Sequence, residues 1–421
     1  MGWFPWAALG FVLAGTSYSM LLGEVLRFPD ERDYLVYARH LVQSGHYSLD
    51  GLTPDAYRPP GYGIALAPFV AIFDSAHTVR VLQFTLLALS VWWLAGLALI
   101  TPIDAGRGEV PIVISHDRLA TLLLIGLTGY PVLIYTAGTL FPQTLLGALV
   151  VGGTAVLCHP AASHRPLASA ASAGLIAGYA AQVSPTALML VPVLGWYCLE
   201  NRVRIAPPTG TAVSSPGGPA AWQIGGAFLL CAALVPGAWL ARNLIVLEKP
   251  VLFSTNLAEN LDNAVLSVDR LEPGEVRPPK SAIEYGAERL EQLIGSPQAY
   301  RDRLIEFFAT RNELQVSEEA SSLREQVMAI TYLTLLALVA ARLLQAAPIG
   351  RQVPLSRAER IAVVLYVLTA LFHALVFTRI RYRLPFDLLL LLPAMNAVRI
   401  LLQMAIRTRM RERRSNPGTV E

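Results

Sequence analysis

Long apolar runs recur along the whole chain, separated by shorter polar stretches. A helix that crosses a bilayer needs roughly 20 mainly apolar residues. On that criterion the pattern predicts about ten spans, at 3–23, 78–100, 118–136, 139–157, 168–183, 185–199, 222–240, 326–345, 360–378 and 384–404. The fifth and sixth are short and separated only by Ser184-Pro185, so they read as a tight hairpin or as one long broken helix. The expected fold is an all-α polytopic membrane protein, one membrane domain over 1–421. The first run, Trp3 to Gly23, has no basic leader and is too long for a signal-peptide core, so it reads as the first span.

Composition agrees. The 421 residues are 54% hydrophobic and only 15% charged, with mean hydropathy +0.48. A soluble domain carries about a quarter charged residues, so much of this surface faces something other than water. The net charge of +3 gives no case for nucleic acid. Cys158, Cys198 and Cys231 lie in or beside apolar runs without CxxC spacing, which implies small apolar filler rather than a disulfide framework or a zinc site.

Arginine placement predicts the orientation, because short cytoplasmic loops are enriched in Arg and Lys. With ten spans, Arg202, Arg204, Arg342, Arg351, Arg357, Arg360 and the basic tail 405–421 fall on one side, read as cytoplasmic together with both termini. The Pro/Gly/Ser stretch 201–221 is a flexible connector on that side. The opposite side receives two long loops, 24–77 and 241–325, and long loops in a compact architecture are usually functional. No internal repeat of the transporter kind is visible.

In the first outward loop, Pro29-Asp30-Glu31 and Asp33 precede apolar residues at helical spacing (Tyr34, Tyr37, Ala38, Leu41), and Gly45 closes the pattern. This predicts an amphipathic surface helix with Asp30 at its N-cap and acid in its first turn. Asp30 therefore has two readings, a cap or an active-site acid. Arg58-Pro59-Pro60-Gly61-Tyr62 forms a stiff turn into a second short apolar helix. An acid on such a platform could activate a hydroxyl acceptor.

In the second outward loop, Arg242 and Asn243 end a span, where Arg reads as an interface anchor or as a ligand for phosphate. Between the last two spans, Arg379, Arg381 and Arg383 stand within five residues of sequence. Charge at a membrane boundary usually has a partner, and Arg suits phosphate oxygens. His373 reads as a core histidine, and no spacing of histidines suggests a metal site. No Walker A, GxGxxG or HExxH pattern is present.

The order Asp30-Glu31 before a tyrosine-bearing helix, then Ser44-Gly45-His46-Tyr47, then Arg58-Pro59-Pro60-Gly61-Tyr62, resembles the first external loop of GT-C glycosyltransferases. The similar subgroup is that of the protein O-mannosyltransferases and the lipid A aminoarabinose transferase. Pro236-Gly-Ala-Trp239-Leu-Ala-Arg242-Asn243, the later Ser254-Thr255-Asn256 and Asn260-Leu261, and the corner Arg381-Tyr382-Arg383-Leu384-Pro385 resemble the same family in the same order. Three positions depart from it: Gly63 and Ser184 where relatives often have Pro and Arg, and Gln143 where many have an acid.

The resemblance implies a membrane glycosyltransferase of the cell envelope, in the bacterial inner membrane. It would move a sugar from a polyprenyl phosphate to a hydroxyl of a lipid, glycan or protein acceptor on the outer face, with inversion. Asp30 would be the catalytic base, with Glu31 beside it. Arg58, Arg242, Asn243, Arg379, Arg381 and Arg383 would hold the donor phosphate, and Tyr34, Tyr62, Asn256, Asn260 and Tyr382 the sugar or acceptor. No cofactor is implied, although a divalent metal near Asp30 and Glu31 is compatible with the pattern. The alternative is a transporter, flippase or non-catalytic subunit for lipid-linked saccharides.

Overall fold

The computed structural model describes residues 2–100, 114–203, 219–256, 282–308, 321–347, 353–375 and 380–415, and among them there is no strand. In chain order the helices are α1 (Phe4–Leu22), α2 (Pro29–Ser44), α3 (Pro60–Ile72), α4 (Ala76–Ile100), α5 (His116–Leu127), α6 (Pro131–Ala137), α7 (Gln143–Cys158), α8 (Ala161–His164) and α9 (Pro166–Val183). After a 3₁₀ turn over Pro185–Met189 come α10 (Leu190–Val203), α11 (Ala221–Val246), α12 (Ala282–Gly295), α13 (Pro297–Phe307), α14 (Ser321–Ala346), α15 (Arg357–Leu375) and α16 (Ile380–Ser415). Proline opens α2, α3, α6 and α9, where its missing N–H costs nothing and its φ suits a helix. Gly45 closes α2 at φ 72, a left-handed cap that glycine adopts without strain.

Among the described residues six helices are long and apolar enough to cross a membrane: Phe4–Leu22, Ala76–Ile100, Ala221–Val246, Glu325–Ala346, Arg357–Leu375 and Ile380–Ile406. The pair α5–α6 makes a seventh if counted as one span, but it bends by 87°. The expected count of ten is not reached among the described residues. The apolar run at 118–136 breaks at Thr128-Gly129-Tyr130, and α7, expected at 139–157, has only 16 residues. An apolar run alone does not register such breaks.

The tightest helix pair is α9 against α11. A Cβ added at Gly174 would lie 2.2 Å from the Phe228 carbonyl oxygen, and one at Gly178 would lie 2.2 Å from that of Ala232. Small residues one turn apart let the two backbones approach closely, the usual device between helices in lipid. The core runs through α4, α7, α9, α15 and α16, while α1 is mostly peripheral.

Helix ends gather at two poles. At one pole, Asp117 accepts hydrogen bonds from the Trp3 and Phe4 backbone N–H groups, at 2.6 and 3.0 Å. Arg342 and Glu359, both fully buried, pair at 2.7 Å between α14 and α15, and Asn396 of α16 donates to the same carboxylate at 3.1 Å. Arg357 donates to the carbonyls of Leu157 and Tyr197, and Arg360 pairs with Glu200 at 2.7 Å. Several arginines whose placement marks one flank in the sequence are thus joints between helices. The other pole carries the cluster described next.

Candidate functional site

Helix α2 starts at Pro29 with Phe28 at the N-cap, so Asp30 lies inside the first turn and is not the cap. The capping work falls to Glu31. One of its carboxylate oxygens accepts from the backbone N–H of Arg27 at 2.6 Å and of Phe28 at 3.1 Å, and the other accepts from Leu140 N–H at 2.8 Å. Glu31 is 1% exposed. It ties the start of α2 to the segment between α6 and α7, and it has no oxygen directed to a cavity.

That leaves Asp30 to face outward, where its side chain keeps 24% exposure. Arg58 Nη2 donates to its Oδ1 at 2.6 Å, and Arg381 Nη1 donates to its Oδ2 at 2.9 Å. Partial burial works against its charge, but the guanidiniums of Arg381 and Arg58 outweigh burial and hold its carboxyl below the usual carboxylate range. Arg58 also grips Asp33, from Nε at 3.0 Å and from Nη2 at 2.7 Å. Burial opposes the Arg58 charge, and Asp30 and Asp33 overcome it and push its pKa up.

Arg58 is held in place by its loop. Tyr47 donates to the Pro59 carbonyl at 3.0 Å and stacks on Tyr37 at 4.1 Å between ring centroids. Tyr37 donates to Asp55. Gly61 lies so close to the end of α9 that a Cβ there would come within 2.6 Å of the Gln182-Val183 backbone. Tyr179 of α9 closes this contact by donating to the Gly61 carbonyl at 2.8 Å. Arg381 comes from the first turn of α16, with the rings of Phe141 and Tyr382 at 5.0 and 5.3 Å, and its Nε has no hydrogen-bond partner.

Asp30, Arg58 and Arg381 share one cavity of about 380 Å³. Among the described residues its remaining polar wall is made of uncharged amides and hydroxyls, Gln143, Ser184, Thr186, Ser254 and Asn256, with His373 beside Tyr382. Ser184 and Thr186 are bonded at 2.8 Å, and Ser254 donates to Asn256 Oδ1 at 2.7 Å. Tyr34, Phe141, Phe253, Phe372 and Tyr382 supply aromatic wall. Burial pushes the Tyr34 hydroxyl up to about 12, which suits it to a wall rather than to proton transfer.

Several residues singled out in the sequence lie elsewhere. Arg383 is 3% exposed and faces inward, with Nε 3.3 Å from Asp387 Oδ2, Nη1 donating to the Phe307 carbonyl at 2.8 Å, and its guanidinium over the Tyr332 ring. Tyr130 donates to the same Asp387 oxygen at 2.8 Å. This buried group joins α6, α13, α14 and α16. Arg242 donates to the carbonyls of Asp55 and Tyr47, and buried Asn243 donates to that of Val251 at 2.8 Å. These two residues tie the first loop and segment 247–256 to α11, and that segment delivers Phe253, Ser254 and Asn256 to the cavity. Tyr62 is buried behind Tyr34, edge to face at 5.1 Å. Arg379 and Asn260 lie outside the described residues.

Thr186 and Phe372 of the cavity wall carry no mark in the sequence. Neutral side chains at helix ends give no sequence signal until tertiary structure brings them together. The one available sign lay in the departures from the GT-C pattern, since Gln143 and Ser184 both stand on the cavity wall. The third departure, Gly63, faces Tyr47 and Tyr37.

The carboxylates of Asp30 and Glu31 are engaged separately and do not converge as a ligand pair. Among the described residues no group of three His, Cys, Asp or Glu side chains is placed to hold a metal ion. No family model, curated protein or solved structure matches the chain.

Proposed function

We propose that the chain is a membrane glycosyltransferase that moves a sugar from a polyprenyl phosphate to an acceptor hydroxyl, at the cavity shared by Asp30, Arg58 and Arg381. The observation that carries this reading is the double grip on Asp30. Both carboxylate oxygens are held by guanidiniums, one from the first loop and one from the last helix, at the edge of a cavity with neutral polar walls. On this reading the pole with Asp30 is the outer face, α3 stays on that face with α2, and α7, α9 and α10 complete the passage between poles with both termini cytoplasmic.

The geometry suits a donor-coupled base. While paired to two arginines, Asp30 is a weak base. A donor phosphate competes for Arg381, whose acidic partner among the described residues is Asp30, whereas Arg58 keeps Asp33. Losing one cation raises the proton affinity of Asp30 once the donor is seated. The acceptor oxygen then bonds to the anomeric carbon while its proton passes to Asp30. The bond from that carbon to the phosphate oxygen breaks, and the electron pair leaves with the polyprenyl phosphate. Arg381 and Arg58 are positioned to stabilise that developing charge. One displacement inverts the carbon.

The neutral wall supports a further narrowing. Asp30, Arg58 and Arg381 are engaged in the transfer itself, and the rest of the described wall offers the sugar only the neutral Gln143, Ser184, Thr186, Ser254 and Asn256, so it gives no partner to an amine or a sugar acid. The transferred sugar is therefore an uncharged one. Purified protein in liposomes, given polyprenyl phosphates carrying labelled neutral, amino or acidic sugars and a membrane-extract acceptor, should move label only from the neutral donors. Transport of intact donor across the bilayer without cleavage would favour the flippase reading instead.

A further inference from the structure

A second cavity, of about 360 Å³, lies between α5, α14 and α16. It forms because α5 packs on α1 and α4 while α14 packs on α16, leaving a gap between the two groups. Leu122, Leu123, Leu335, Leu338 and Met395 are typical of its wall. The α16 stretch that lines it, Leu391 to Leu402, rises about 16 Å at 1.5 Å per residue. Gly126 keeps the α5 side bare, and a Cβ added there would meet nothing within 4 Å.

Among the described residues the groove contains one charged side chain, Arg399. Its Nη1 donates to the Ala98 carbonyl at 2.6 Å and to Asn396 Oδ1 at 3.0 Å. The acid near it, Glu359, is already taken by Arg342, Asn396 and the Ser356 N–H. Among the described residues no carboxylate forms an ion pair with Arg399. Ala98 ends α4 at the pole opposite Asp30, so Arg399 lies toward that membrane face. A cation in an apolar wall at membrane depth is costly unless an anion pairs with it, and a guanidinium forks onto phosphate oxygens.

We infer that this groove binds one anionic glycerophospholipid from the leaflet at that pole, its phosphate on Arg399 and one acyl chain lying between α5 and the α14–α16 pair. The site is separate from the Asp30 cavity, and the inference does not depend on the glycosyltransferase reading.

Native mass spectrometry of the full-length protein, titrated with dioleoyl phosphatidylglycerol or dioleoyl phosphatidylcholine, tests it. The first phosphatidylglycerol should bind at least about tenfold more tightly than phosphatidylcholine, which presents the same phosphate but adds a choline cation that Arg399 repels. Arg399→Gln should bring the two lipids to within about twofold, while Arg399→Lys keeps most of the preference. Gly126→Trp should abolish the tight site by filling the groove, and Gly126→Leu serves if the larger residue does not fold. Equal binding of the two lipids by wild type would overturn the inference. So would a preference that survives both Arg399→Gln and groove filling, or a dimer that forms without lipid and covers this face.

Discussion

Arg381, in the first turn of α16, donates to Asp30, in the first turn of α2, at 2.9 Å across 351 positions of sequence. The contact joins the last helix to the first loop at the edge of the cavity. On the proposed reading Arg381 exchanges Asp30 for the donor phosphate. Arg381→Gln should therefore weaken binding of a labelled polyprenyl-phosphate sugar by about 10- to 100-fold, the worth of a hydrogen bond to a charged group. Arg381→Lys should recover only part of it, because the planar fork is lost. Unchanged binding in Arg381→Gln would move the phosphate site to Arg58 or Arg379.

Arg383, two residues on, should behave differently. It is buried against Asp387, Phe307 and Tyr332. Removing one member of a buried pair leaves the other charge uncompensated, at a cost of roughly 3–5 kcal/mol. Arg383→Gln should lower the thermal midpoint strongly, yet the folded fraction should bind donor as wild type does. Loss of donor binding without loss of stability would show Arg383 to be a ligand.

Glu31 gives a similar contrast within one dipeptide. Glu31→Ala removes the acceptor for three backbone N–H groups, one of them the buried Leu140 N–H. A lost cap costs about 0.5–2 kcal/mol and a buried unsatisfied donor about 1–3 kcal/mol more. The variant should melt earlier, while its Michaelis constant for donor should be preserved in the protein that stays folded. A turnover collapse with unchanged melting would instead make Glu31 a catalytic group.

The parts of this arrangement legible in the sequence are those set by local pattern. Apolar residues at helical spacing mark α2, proline and glycine mark the Arg58–Gly61 turn, and the clustering of arginines marks the start of α16. Which arginine faces the cavity was not legible. Residues two apart on a helix point about 200° apart at 3.6 residues per turn, so Arg381 and Arg383 serve opposite sides. The role of Arg242 was hidden for another reason. An arginine at a helix end looks the same in sequence whether it meets a phosphate or the carbonyls of a distant loop. The described helices fall short of the expected count because hydropathy registers apolar length but neither the 87° bend between α5 and α6 nor the shortness of helices such as α7 and α10.

The central claim is that the Asp30 carboxylate is a base and not only a joint between α2, Arg58 and Arg381. Asp30→Asn keeps the size and one acceptor for an arginine while removing the proton acceptor. It also removes the anion that competes with phosphate for Arg381, so donor binding should hold or tighten. General-base catalysis is worth about 100- to 10,000-fold. The direct measurement is single-turnover sugar transfer by Asp30→Asn at saturating donor, with donor binding determined on the same sample. The account predicts a rate lowered by about 100-fold or more with donor affinity at least that of wild type. Transfer at the wild-type rate by a variant that binds donor normally would contradict it.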